Sequence, residues 1–222
     1  WEDFSHTVGF WADMEHPYVT YDNAYIESEW WALKNIWEKG LLYKGFKIVP
    51  YCPRCGTPLS SHEVAQGYKD VKERSAIAKF KVKDEDAYIL AWTTTPWTLP
   101  SNVALCVHPD ERYVKVRMNG DGTVYYLAEA LADTVLGEGA YTVLEAYTGR
   151  DLEYKEYEPL FAFVQPKEKC WYVTCDSYVT LTDGTGVVHI APAFGEDDAK
   201  VGRKYDMPFV QLVDEKGNMG ET

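Results

Sequence analysis

Apolar residues recur at helical spacing once near the start of the chain, at Ile26, Trp30, Leu33 and Trp37. With Asp22 as a cap and Gly40 as a stop, that period predicts an amphipathic helix from Asn23 to Lys39. An indole stripe at this spacing is a packing surface, and it implies docking. From about Ser75 the period changes to two: Ala76, Ala78, Phe80 and Val82 alternate with Lys79 and Lys81. Short strands are predicted next at Tyr88 to Trp92, Val103 to Val107, Tyr113 to Met118 and Val124 to Leu127. Asn119-Gly120-Asp121-Gly122 turns the last two into a hairpin. A short helix from about Ala128 to Leu136 follows, then strands at Tyr141 to Tyr147, Phe161 to Val164, Trp171 to Cys175, Gly186 to Ile190 and Pro208 to Val213. A helix starts at Glu196 and runs to Tyr205.

Many short strands and few helices define an α+β, mainly β fold with a barrel-like domain over residues 69–215. Before it lie a helical segment, 1–50, and a cysteine-bearing stem, 51–68; residues 216–222 form a return strand or tail. No internal repeat or low-complexity linker interrupts this order.

Composition narrows the function. In 222 residues, 46% hydrophobic and 15% aromatic, no long uncharged apolar run occurs, so the chain reads as soluble, with no membrane partner. It opens at Trp1 without Met or a basic, apolar leader, which suggests a piece excised from a longer protein. A net charge of −13 argues against a free-standing nucleic-acid binder, though not against a domain that receives only the end of a nucleic acid held elsewhere. Of five cysteines, Cys52 and Cys55 sit in a C-x-x-C pair while Cys106, Cys170 and Cys175 are scattered, which suits a reducing, cytoplasmic setting better than a disulfide scaffold.

Three stretches carry chemistry. Tyr51-Cys52-Pro53-Arg54-Cys55-Gly56 has the shape of a zinc knuckle, whose tight turn aims the Cys52 and Cys55 thiolates at one metal. Two ligands make half a tetrahedral site. His62 is the one nearby candidate to add, and a half-site completed by residues elsewhere is favoured over a complete local site or a redox pair. Trp92-Thr93-Thr94-Thr95-Pro96-Trp97-Thr98-Leu99-Pro100-Ser101-Asn102 is the second stretch. Pro96 and Pro100 force the chain out of the sheet ladder into a rigid, hydroxyl-rich loop. The third is Asp183-Gly184-Thr185-Gly186-Val187-Val188-His189-Ile190-Ala191-Pro192-Ala193-Phe194-Gly195-Glu196-Asp197-Asp198. Its glycines are a weak phosphate-loop signal. Its three acids suit a helix N-terminus, but Asp198 beside a histidine and a hydroxyl-rich loop could also bind a cationic amine.

The second and third stretches resemble the threonine-rich and aspartate-bearing signatures of the editing domain inserted in isoleucyl-tRNA synthetases, and Tyr51-Cys52-Pro53-Arg54-Cys55-Gly56-Thr57-Pro58-Leu59-Ser60 is similar to the zinc-bearing stem of that insertion. The resemblance covers most of the chain, and residues 1–50 would lead from the synthetic domain. It implies a proofreading hydrolase that deacylates valine wrongly esterified to the isoleucine tRNA and also hydrolyses valyl-adenylate. Asp198 would hold the substrate ammonium, and Thr93, Thr94 and Thr95 would contact the ester and the terminal adenosine. Trp97 and Asn102 would shape the loop, and His189 would bound the aminoacyl side chain or touch the ribose. Partners would be the 3′-terminal adenosine, the valine moiety and the rest of the synthetase, with the chain itself a monomer. Zinc would be the only cofactor and would play no part in hydrolysis. The HIGH and KMSKS motifs of the synthetic site are absent, so amino-acid activation is not expected. A zinc-ribbon docking module without catalysis explains the first 68 residues equally well, but not the mixture of hydroxyls, glycines and a lone aspartate that follows.

Overall fold

Ten strands form in the computed structural model, which describes residues 1–220: β1 (Tyr51–Cys52), β2 (Thr57–Pro58), β3 (Ala76–Lys81), β4 (Tyr88–Thr93), β5 (Ala104–Val107), β6 (Arg112–Met118), β7 (Val124–Ala128), β8 (Tyr141–Thr148), β9 (Tyr172–Cys175) and β10 (Val187–Ile190). The helices among these residues are α1 (Glu2–Thr7), α2 (Asn23–Glu38), α3 (Ser61–Ala65), α4 (Ala132–Leu136), α5 (Gly149–Leu152) and α6 (Glu196–Lys204), with 3-10 turns at Pro96–Ser101 and Glu129–Leu131. Two compact units result, Trp1–Lys47 and a second beginning at Ile48.

In the second unit β3 to β10 make one mixed sheet, ordered β8-β6-β7-β4-β10-β5-β9, with β3 branching off at β4. Strand β4 is the centre. One edge pairs antiparallel with β3 along its whole length; the other is divided, its start running parallel to β7 at Tyr88 and Ile89 and its end parallel to β10 at Trp92. Because β4 and β10 are parallel, the loops leaving their C-terminal ends emerge on the same side of the sheet.

Alternation explains how the sheet is covered on both faces. Ile89 and Ala91 of β4 point into one core with Leu105, Val107, Tyr126 and Val187, whereas Leu90 joins a second with Val114, Val116 and Leu127. Strand β5 divides likewise, its Ala104 and Cys106 packing against Val179, Ile190 and Val201. Each such fully buried aliphatic contributes about 1.5–3 kcal/mol. One half-buried acid ties the β3–β4 turn to this body. Burial works to raise the pKa of Glu85, but hydrogen bonds from Lys115, Tyr126 and Lys155 outweigh it and hold the carboxyl down to about 2.

The mainly β expectation holds, and the barrel-like sheet is open, since β8 and β9 end the strand path without pairing to each other. Two expected strands do not form. Phe161 to Val164 lies between Pro159 and Pro166, and its Phe161 and Phe163 rings stack on each other 5.3 Å apart instead of entering a ladder. Pro208 to Val213 contributes one isolated bridge, Val213 to Met219, because Pro208 has no N–H to donate. Of the expected return segment 216–222, the last two residues lie outside the described residues.

In the first unit α2 ends one residue short of the expected Lys39, at a Gly40 with φ of +68°. Asp22 occupies the N-cap position but makes no side-chain capping bond. None of α2 is buried, and Trp30 and Trp37 remain about two-thirds exposed, at 67% and 66%. Among the described residues no helix is long and apolar enough to cross a membrane.

Candidate active site

The shared direction of β4 and β10 brings the second and third sequence stretches together. A cavity of about 320 Å³ opens where the two strands end, lined by Thr93, Thr94, Thr95, Trp97, His189 and Asp198 together with Trp92, Thr98, Tyr178, Val188 and Phe194.

The threonine loop is built from its own hydroxyls. The Thr95 N–H donates to Thr93 Oγ1 at 3.0 Å, bending the chain as it leaves β4. Pro96 then starts the 3-10 turn, where its missing donor costs nothing. Thr98 closes that turn by donating its hydroxyl to the Thr95 carbonyl at 2.8 Å and faces His189 Nε2 at 2.9 Å. A hydroxyl owns one proton, so with Thr98 committed to Thr95 the histidine must donate, which places its proton on Nε2. Nδ1 is therefore a lone-pair acceptor, buried and without a partner among the described residues. Burial pushes the imidazole down to about 4, so it is neutral at physiological pH. Thr94 spends its side chain on no protein partner among the described residues and faces the cavity.

Asp198 lies in the first turn of α6. Gly195 at the N-cap leaves room for its carboxylate, since a Cβ there would stand 3.0 Å from the Asp198 side chain. The carboxylate folds back to accept the Ala191 N–H at 3.3 Å. Burial is the main influence on its pKa and raises it to about 6, against lowering contributions from the Ala191 N–H and the Tyr178 phenol. Glu196 and Asp197 point outward; Asp197 pairs with Lys200 at 2.9 Å, so they serve the helix end and the surface.

Two expected residues stand differently from their neighbours. Asn102 does not line the cavity. Its side chain is buried behind the loop, donating to the Ala104 carbonyl at 2.7 Å and accepting from the Tyr157 hydroxyl at 2.6 Å, so it anchors the loop to the core. Trp97 lines the cavity but is 60% exposed, a rim residue rather than a wall. The Gly184-Thr185-Gly186 turn is structural: Gly184 passes beside the Trp92 indole and Gly186 beside Ala128, which fits the weakness of its phosphate-loop pattern. Trp92, Thr98, Tyr178, Val188 and Phe194 went unpredicted as lining residues. All but Tyr178 sit inside the second and third stretches and could have been included, whereas nothing local marks Tyr178.

The cysteine knuckle is a separate feature. Strands β1 and β2 form a small hairpin carrying Cys52, whose sulfur accepts the Cys55 N–H at 3.4 Å. That N–H lowers the pKa of Cys52, while the neighbouring Cys52 sulfur raises that of Cys55. His62 bonds Gln66 at 2.8 Å, and among the described residues no three metal-binding side chains gather. The pair fits two positions of a tetrahedral thiolate site and supplies no more.

A sheet split at one strand, with a hydroxyl-lined cavity at its end, is the framework on which the relatives can be placed. Residues 1–197 match the family described as tRNA synthetases class I (I, L, M and V), and the chain belongs to that family. It is 61% identical over its whole length to an isoleucine--tRNA ligase of Clostridium novyi, 62% identical over 98% of its length to that of Clostridium acetobutylicum, and 51% identical over its whole length to that of Bacillus thuringiensis. It spans 21% of the length of each of these relatives. Among solved structures, the crystal structure of GlLeuRS-CP1 matches with a TM-score of 0.49 and 18% identity, over 61% of this chain and 65% of that one. The editing domain of the Plasmodium knowlesi cytosolic leucyl-tRNA synthetase matches with a TM-score of 0.47 and 15% identity, over 64% and 70%.

Proposed function

We propose that this chain is the proofreading part of an isoleucine-tRNA ligase and hydrolyses valine mis-esterified to the isoleucine tRNA, with valyl-adenylate as a second substrate. The observation that carries this reading is the buried Asp198 carboxylate sharing a small cavity with the Thr93, Thr94, Thr95 and Thr98 hydroxyls and a neutral His189. Isoleucine and valine differ by one methylene, which a hydrophobic pocket separates only about 150-fold, a general figure for isoleucyl-tRNA synthetases rather than a property of this particular chain. A second, smaller sieve is the remedy, and about 320 Å³ lies at the small end of ligand cavities.

In this reading Asp198 pairs with the α-ammonium. The Thr93 and Thr94 hydroxyls hold the ester and the water, and Trp97 meets the adenine at the rim. His189 Nδ1 accepts a ribose hydroxyl. Asn102 keeps the loop fixed against the Tyr157 side of the core. An aminoacyl ester is already activated, so oriented donors that stabilise the developing oxyanion suffice without a nucleophilic side chain. The buried Cys106, pushed up to about 12 by burial, is no nucleophile.

Titration with non-hydrolysable, amide-linked valyl- and isoleucyl-adenosine analogues tests the sieve. Valyl binding with isoleucyl affinity at least about 10-fold weaker is expected, as for one methylene without room; equal affinity would remove the discrimination. We also propose that Cys52 and Cys55 form half of a zinc site completed from another segment, where the metal would serve to brace the stem. Metal content of the purified chain well below one zinc per chain supports this, and one tightly held zinc per chain would overturn it.

A further inference from the structure

The Tyr178 hydroxyl is buried and has no hydrogen-bond partner among the described residues, an arrangement rare enough in folded proteins to ask for a ligand. It belongs to the loop after β9, and its ring packs against the cluster around Val179 and Ile190 while lining the cavity. Tyr178 and Asp198 line the same cavity, and the phenol stands close enough to favour the charged form of that carboxylate as a hydrogen bond would, while the carboxylate contributes to holding the phenol protonated; the pair nevertheless falls short of full hydrogen-bond geometry, which leaves the hydroxyl without a partner among the described residues. Among the described residues, Asp198 accepts only the long bond from the Ala191 N–H. An ammonium group offers three N–H donors, and a single carboxylate seldom satisfies all of them. A protonated phenol beside that carboxylate supplies the missing acceptor lone pair, and its own proton can go to Asp198.

We infer that Tyr178 is a second recognition residue for the substrate amine, working with Asp198 to select an α-ammonium over a neutral acyl group. This rests on the aminoacyl reading of the cavity. It also accounts for an aromatic residue with a hydroxyl in a wall where phenylalanine would pack equally well and leave no buried polar atom unpaired.

The test is a cycle between Tyr178→Phe and the ligand, using two probes: the amide-linked valyl-adenosine analogue and its des-amino counterpart carrying an isovaleryl group. Tyr178→Phe should weaken valyl binding about 10-fold or more, the usual effect of losing a hydrogen bond to a charged group, and leave isovaleryl binding unchanged. Its thermal midpoint should stay the same or rise, because only an unpartnered hydroxyl is removed. Equal losses with both probes would assign Tyr178 to pocket shape and overturn the inference, as would no loss with either. If the parent chain binds neither probe, the aminoacyl reading fails and the Tyr178 role with it. Valyl binding by the parent that is undiminished in the variant removes Tyr178 alone.

Discussion

Asp198→Asn is expected to abolish recognition of the aminoacyl group and at the same time to make the chain more stable. Among the described residues that line the cavity, the ionised Asp198 carboxylate is the only charge, and an amide oxygen can accept a hydrogen bond from an ammonium but cannot neutralise its charge. Leaving a desolvated cation unpaired costs about 2–5 kcal/mol, so affinity for the valyl-adenosine analogue should fall at least about 30-fold. Stability moves the other way. Burial raises Asp198 from an ordinary 3.8 to about 6, so above that pH the charge is less comfortable in the folded chain than in the unfolded one. The penalty at neutral pH is on the order of 2–3 kcal/mol. A neutral asparagine that still accepts the Ala191 N–H escapes it. Thermal scans should show a midpoint higher by roughly 5–10 °C at pH 7.5. The sign fixes the pH course: a raised folded value makes the parent relatively more stable as pH falls, so the gap narrows below about 6 and closes below about 3.8. Ligand affinity of the parent should fall over the same window as the carboxylate takes up its proton. A variant less stable than the parent at pH 7.5 would show that the charge is a structural asset, and unchanged affinity would take Asp198 out of the site.

Gly186→Ala is expected to cost about 2–5 kcal/mol of stability, the sum of a left-handed backbone and an overpacked contact. Gly186 has a φ of +71°, and a Cβ there would stand 2.4 Å from the Ala128 Cβ and 2.8 Å from a Leu181 methyl. The turn cannot move aside easily. The Thr185 carbonyl accepts the Ala128 N–H at 2.9 Å, and the Gly186 carbonyl accepts the Tyr113 hydroxyl at 2.7 Å. Because β10 begins at the next residue and carries His189, any shift would also reach the cavity. Gly120→Ala is the control, since its added Cβ meets nothing within 4 Å. Denaturant titration should separate the two variants clearly; a Gly186→Ala loss within about 0.5 kcal/mol of the control would refute the packing account.

An uncomfortable charge is held in place by a rigid frame, and the two predictions probe one half each of that arrangement. Selection for function commonly leaves such local destabilisation at a site, offset elsewhere in the fold. Here the frame is the strand pair β4 and β10 with the glycine turn that feeds the second of them.

Much of this was legible in the sequence. Alternation at Ala76 to Val82 and the Asn119 to Gly122 turn specify strands through side-chain period and local backbone preference, which need no distant partner. Pro96 and Pro100 announced the end of β4 for the same reason. The expected strands at 161–164 and 208–213 failed because alternation states only which face a residue prefers, and flanking prolines decide whether a neighbouring strand can pair. Asn102 illustrates a subtler limit. Its place in the motif was visible, but whether its amide faced a ligand or the core depended on Tyr157, 55 residues away.

By itself, then, the sequence determined most of the strands, the rigid threonine loop, the two-thiolate knuckle and the residue types available for chemistry, because these follow from local sterics and covalent identity. Only the tertiary structure decided that β4 and β10 run parallel, so that their ends share one cavity; that His189 carries its proton on Nε2; that Asp198 is buried enough to be raised to about 6; and that Tyr178 presents an unpaired hydroxyl beside it. Each of those depends on which distant groups surround an atom, since desolvation and hydrogen-bond partners are properties of the packed chain.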